Sequence, residues 1–360
     1  MFFRMICAGV FCAALASAQS VAGDEDLQLD SSLRAIAAAH HGKVALFARN
    51  LKTGQTASLA PDEPVKTAST IKMGILLDAA EQIRDGHASL GEKLVLSHDN
   101  QVEGSGVLAQ LDTPLALTLR DTLTLMVILS DNTATNLAID RLGLAHINAT
   151  LRDAGLRQTY LYKKVYVPAT APMPADQPKF GLGKTTAREM ASLMARIATC
   201  DLELKGSRGL EGSGPKAQLA PPQVAKAKFD PPQAAGDGPL CGAILHMLRN
   251  QQDRDGIPRY LESLDTSEHG SAIANKTGAL DALRADVALI SSKSGPIVIA
   301  AYTYENTDQR WNGDNEGEQT LAKLAKAIVD RWSPAGLDPV VFSWDTPLAP
   351  LSQPENPKAP

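Results

Sequence analysis

Thr67-Ala68-Ser69-Thr70-Ile71-Lys72-Met73-Gly74-Ile75-Leu76 opens a segment whose spacing predicts a helix over 67–83, with Ile71, Ile75 and Leu76 on one face. Ser69 and Lys72 are three residues apart and so face the same side. A serine hydroxyl is a poor nucleophile unless a base stands beside it. A lysine in a dry pocket can have its pKa lowered toward neutrality and accept the hydroxyl proton. The start of the helix adds backbone N–H groups that can bind a developing oxyanion. Taken alone, the spacing is a weak signal, and a capping serine with a surface lysine explains it better.

Two later motifs carry related chemistry. Ser130-Asp131-Asn132 is a polar break within the helical stretch 119–142. There a second serine can pass a proton to a leaving amine, and an asparagine can contact a substrate amide and hold a lysine. An ordinary N-cap at Ser130 is the simpler alternative. Lys276-Thr277-Gly278 follows a strand-like run at 271–276. A strand edge can pair with an extended substrate, Lys276 supplies positive potential, Thr277 can bind a carboxylate, and Gly278 permits close backbone approach. A strand end followed by a turn explains the same residues without function.

The remaining patterning places these motifs. A helix is expected over 27–39, strands over 43–50 and 56–60, and helices over 145–154, 185–199 and 240–250. Strands at 271–276, 284–291 and 296–305 precede a helix at 320–332. The fold class is therefore α/β of the α+β type, with an antiparallel sheet built from both chain ends. One lobe comes from 27–66 and 256–332, and an all-helical lobe, 67–255, is inserted between them. Crevices between lobes favour ligands. Residues 201–240, rich in Gly, Pro, Ala and Lys without periodicity, read as a loop insertion. Residues 333–360 read as a Pro-rich extended tail after a catalytic unit at 19–332.

The first 18 residues have the form of a signal peptide: Arg4, an apolar run from Met5 to Ala16, and the small-residue site Ala16-Ser17-Ala18. The run is too short to span a bilayer, and no later segment is apolar enough. The expectation is export to the periplasm or the extracellular space after cleavage near Ala18. Cys7 and Cys12 then leave with the signal. Cys200 and Cys241 remain on either side of the loop insertion and are expected to form one disulfide. The 360 residues, 44% hydrophobic and 21% charged, exclude a disordered, collagen-like or coiled-coil chain. A net charge of −5 and only 4% aromatics give no case for nucleic acid. The histidines and cysteines form no zinc motif, so neither metal nor cofactor is expected. Gly181-Leu182-Gly183-Lys184-Thr185 fails as a phosphate loop because Pro178 stands where its first glycine belongs.

With S-x-x-K, S-D-N and K-T-G in this order, over about 30–332, the chain resembles the class A β-lactamase and penicillin-binding protein superfamily. The resemblance implies the β-lactamase/transpeptidase-like fold and a serine hydrolase working through an acyl-enzyme. It implies Ser69 as nucleophile, Lys72 as general base or proton relay, and Ser130 as donor to the leaving nitrogen. Asn132 would contact the substrate amide, and Lys276, Thr277 and Gly278 would hold the substrate and its carboxylate. The backbone N–H groups of Ser69 and about Leu280 would form the oxyanion hole. Arg284 would match an arginine that in some members also grips the carboxylate. The implied partner of this monomer is a small β-lactam or a peptidoglycan-like peptide.

One departure matters. Class A β-lactamases carry a loop glutamate that orients the water attacking the acyl-enzyme. The corresponding 160–184 contains none, and Tyr162-Lys163-Lys164-Val165-Tyr166 stands where its segment would begin. Asp176 and Lys72 are the remaining candidates to activate water. The expected function is opening of a β-lactam or related amide or ester through Ser69. A D-Ala-D-Ala peptidase and a β-lactam-binding module that stays acylated are the alternatives.

Overall fold

The chain's computed structural model describes residues 26–169, 172–202, 238–261 and 272–338. The expected signal peptide, most of the 201–240 insertion and all but the first residues of the Pro-rich tail lie outside the described residues. In chain order the elements begin with α1 (Leu27–Ala38), β1 (Lys43–Asn50), β2 (Thr56–Leu59), β3 (Val65–Lys66) and α2 (Lys72–Arg84). There follow β4 (Lys93–Leu96), β5 (Leu115–Thr118), α3 (Leu119–Ile128), α4 (Asn132–Leu142) and α5 (Leu144–Asp153). Next come β6 (Tyr160–Leu161), α6 (Gln177–Phe180), β7 (Gly183–Thr185), α7 (Ala187–Thr199) and α8 (Gly238–Arg249). The chain closes with β8 (Ile273–Leu280), β9 (Leu283–Ile290), β10 (Ile297–Tyr304) and α9 (Glu316–Trp332).

The main sheet has the order β2-β1-β10-β9-β8, each pair antiparallel. It unites strands from the two ends of the sequence, as the order of the predicted elements implies. The sheet is covered on both faces, so its inner strands bury nearly every position. On β10, Val298, Ala300 and Tyr302 join a core shared with the helices α2, α3, α4, α7 and α8. Ile297, Ile299 and Ala301, on the other face, join a core with Leu29 and Leu33 of α1 and Leu321, Leu324 and Ile328 of α9. Helix α9 begins four residues earlier than its apolar pattern, because the Asn315 side chain accepts from the Gly317 and Glu318 N–H groups. Two facts of this layout position the site. β8 is an outer strand of the sheet, and among the described residues no strand pairs with its outer edge. The segment before α2 packs against that strand.

Candidate active site

Ser69 lies not in a long helix but on a short 3-10 turn, Ala68–Ile71, which runs into α2. The turn is held hard against β8. A Cβ placed on Gly278 would sit 3.1 Å from the backbone nitrogens of Ser69 and Thr70 and from the Thr67 carbonyl. Only glycine leaves this approach open. Behind the turn, the Thr70 hydroxyl donates to the Thr67 carbonyl (2.7 Å) and lies 2.9 Å from the buried Tyr302 hydroxyl on β10. Ala68, directly before Ser69, adopts φ +44°, a left-handed conformation costly for a residue with a side chain. The packing of Gly278 and Tyr302 against this turn is what holds it. Ser69 keeps partial access to solvent, whereas Lys72, one turn on, has none.

Lys72 Nζ donates to the Ser130 carbonyl (2.6 Å) and lies 3.0 Å from Ser130 Oγ and 3.2 Å from Asn132 Oδ1. Burial, and then the Lys276 charge nearby, hold its amine well below the usual lysine range, against a smaller opposing pull from Asp131. A neutral amine keeps two N–H donors, enough for the Ser130 carbonyl and Asn132. Its lone pair is then free to accept a hydroxyl proton. Lys276 Nζ reaches the same hydroxyl, Ser130 Oγ, at 3.1 Å and donates to the Thr277 carbonyl at 2.9 Å. Burial lowers the Lys276 pKa to about 8, against the pull of Asp253 and Asp286. So S-x-x-K, S-D-N and K-T-G meet at one serine hydroxyl set between two lysines.

The S-D-N segment is shaped by Asp131 rather than Ser130. Asp131 is the N-cap of α4, accepting from the Ala134 N–H (2.8 Å). Its second oxygen accepts from the N–H groups of Val107 (2.7 Å) and Leu108 (2.9 Å), tying the 102–108 loop to the helix. With the cap supplied by its neighbour, Ser130 is free of that role and takes φ +54°, which turns its carbonyl and hydroxyl to Lys72. Asp131→Ala strands three donors, and we expect a loss of about 3 kcal/mol in stability, read from denaturant midpoints. An unchanged midpoint would remove Asp131 from this role.

Two expected site residues are corrected. The Ser291 N–H donates to the Ala272 carbonyl (2.8 Å), so that couple is a hydrogen-bonded pair in the β8–β9 register. Such pairs alternate along an antiparallel ladder. Leu280, paired with Leu283 at the closed end of the hairpin, therefore turns its N–H toward β9. The N–H groups of Thr277 and Ala279 face the outer edge, and the Lys276 bond to the outward Thr277 carbonyl agrees. The edge amide beyond Gly278 is that of Ala279, not Leu280. Arg284 is engaged elsewhere. Its side chain, 2% exposed, runs toward α9, where Nε lies 3.3 Å from Glu318. Its other nitrogens donate to the carbonyls of Leu280, Leu283 and Arg310, and its guanidinium stacks on Trp311 at 4.7 Å. These partners occupy the cation, so it is not presented to a substrate carboxylate.

Two asparagines strap the 160–166 segment to the helices α4 and α5. Asn148 accepts from the Leu161 N–H and donates to its carbonyl, both at 2.8 Å. Asn136 does the same for Val165, at 2.8 and 2.9 Å. Asp176 does not serve as a free base: it accepts from the Tyr162 hydroxyl (2.8 Å) and from Lys184 (2.6 Å). The Lys184 ammonium, then the Tyr162 hydroxyl, hold its carboxyl below the usual range. Cys200 at the end of α7 and Cys241 in α8 are joined by a disulfide across the 201–240 stretch. Among the described residues, Asp78, Glu81 and His146 are grouped closely enough for a metal. Asp78 Oδ1 is already engaged by His146 Nδ1 (2.5 Å) and the Thr150 hydroxyl (2.6 Å).

Comparison with known proteins follows the same lines. A family model described as the beta-lactamase enzyme family matches residues 28–209 and 234–332 and leaves out the middle of the 201–240 insertion. No curated protein matches the chain. A β-lactamase from Sphaerobacter thermophilus DSM 20745 is 25% identical, with a TM-score of 0.64 over 84% of this chain and 96% of that one. A β-lactamase from Chitinophaga pinensis DSM 2588 is 16% identical, with a TM-score of 0.65 over 84% and 99%. A mutant of PBP-A, solved as an acyl-enzyme with penicillin G, is 20% identical, with a TM-score of 0.63 over 85% and 96%. No helix among the described residues is long and apolar enough to cross a membrane.

Proposed function

This chain belongs to the beta-lactamase enzyme family, and from that premise we propose that it is an exported serine hydrolase that opens β-lactams or related amides through an acyl-enzyme on Ser69. The observation that carries the reading is the convergence of the Lys72 and Lys276 amines, from separate motifs, on Ser130 Oγ. Neutral Lys72 takes the Ser69 proton as Ser69 Oγ attacks the carbonyl carbon. The backbone N–H groups of Ser69 and Ala279 bind the resulting oxyanion. Ser130 gives its proton to the leaving nitrogen as the C–N bond breaks, and recovers one from Lys72, which has just gained it. Lys276 and Thr277 hold the carboxylate, and Asn132 the substrate amide. The disulfide supports export, since such bonds persist in oxidising compartments.

Incubation with a chromogenic cephalosporin, followed by both colour and intact mass, tests the reading. The expected result is a covalent adduct on Ser69 that Ser69→Ala does not form. Turnover is expected to be slow, because both Asp176 oxygens are engaged and the loop has no glutamate. Absence of both colour and adduct would overturn the acyl-enzyme. The pH dependence of adduct formation has a fixed sign. Acylation rises with pH as Lys72 loses its proton and becomes a base. It falls above about pH 8, where Lys276 loses the charge that anchors the carboxylate. A rate that keeps rising past pH 9 would remove Lys276 from that role.

A further inference from the structure

We propose that Tyr166 is a specificity residue that receives a planar aryl group on the acyl side of the substrate, an inference that rests on the Ser69 acyl-enzyme reading. Tyr166 is 71% exposed and stands on a backbone of φ +55°, in the left-handed region rarely used by aromatic residues. The residue before it, Val165, is clamped by Asn136 at both backbone groups. The ring is therefore placed by a fixed support, although the ring itself is open to solvent. It leans on Gly104: a Cβ built there would meet the ring at 3.0 Å and the Asn132 amide nitrogen at 2.6 Å. Tyr166 and Asn132 thus flank one glycine, which takes φ +93° and has no side chain to part them.

The order of contacts along the cleft gives the direction of the ligand. Lys276 and Thr277 anchor one end at its carboxylate, Ser69 holds the acyl carbon, and Asn132 meets the amide beyond it. The group attached past that amide lies beside Asn132, where the free face is the Tyr166 ring. The 102–106 loop offers no aromatic ring of its own, since it reads Val102-Glu103-Gly104-Ser105-Gly106. An aryl side chain can pack on Tyr166 in an offset or edge-on arrangement, worth about three- to tenfold in affinity.

The test compares acylation efficiency for benzylpenicillin, which has a phenylacetyl side chain, and for 6-aminopenicillanic acid, which has none. Tyr166→Ala should lower the efficiency about fivefold for benzylpenicillin alone, within the range such ring contacts provide. Tyr166→Phe should restore it, since the ring face and not the hydroxyl makes the contact. The exposed position lets both variants fold, which unchanged thermal midpoints will verify. Equal effects on the two compounds, or none on benzylpenicillin, would overturn the Tyr166 role while leaving the acyl-enzyme standing. If neither compound forms a Ser69 adduct with the wild type, the acyl-enzyme reading fails first and this role with it.

Discussion

Lys72→Ala should slow formation of the Ser69 adduct by about 100- to 10,000-fold while the chain still folds, the range a positioned general base supplies. The reason lies in where the amine is. It is fully buried, its proton affinity is depressed by that burial and by Lys276, and its partners are Ser130 and Asn132 rather than a carboxylate. A buried lysine without a carboxylate partner is costly to keep as a cation. The fold tolerates it because the neutral form is accessible. Truncation removes the base but leaves the Ser130 carbonyl and Asn132 Oδ1 as acceptors without their donor, which costs about 1–3 kcal/mol of stability. Lys72→Arg keeps a donor but cannot shed its proton, so it should be as slow as alanine. Rapid adduct formation by either variant would transfer the base role elsewhere.

Val165→Glu should shorten the lifetime of the adduct by about 100-fold or more, because it installs the base that the 160–184 loop lacks. Val165 is nearly buried, and its backbone is fixed from both sides by Asn136. Asn136 lies one helical turn beyond Asn132, on the same face of α4, and Asn132 is within 3.2 Å of Lys72. A carboxylate introduced at Val165 would project from a rigid support toward the side of α4 that carries the site. The pH dependence supplies a check. A new anion near Lys72 favours its charged form, so the acid limb of acylation should move to higher pH while deacylation accelerates. Val165→Gln, with the same size and no base, should leave the adduct long-lived. A glutamate variant that folds normally and deacylates at the wild-type rate would mean that this position does not face the ester.

Much of this is legible in the amino-acid sequence. The alternation in 43–50 and the strand-like run at 296–305 mark strands, and the order of elements lets both chain ends share one sheet. The α9 start escaped because its first turn is specified by the Asn315 cap, not by apolar spacing. Ser130 was open to being read as a cap, and Asp131 takes that role instead. Tyr166 carries no motif, and its closeness to Asn132 arises only when two loops meet across Gly104.

Residue type and order along the chain are enough to carry the family resemblance, and through it the proposed acyl transfer, which asks for a nucleophile, a base, a proton donor and a carboxylate anchor. In the proposed reaction those parts fall to Ser69, Lys72, Ser130 and Lys276, in any arrangement that brings the three motifs together. Which backbone amide faces the site, and which cation is free, follow from other physics. The direction of an N–H depends on ladder parity, which exchanges Ala279 for Leu280 with a step of one residue. The state of a buried charge depends on everything packed around it. That sum sends Arg284 to Glu318 and Trp311 and lowers the hold of Lys72 on its proton. Neither depends on neighbours in sequence, so only the assembled sheet and helices decide them.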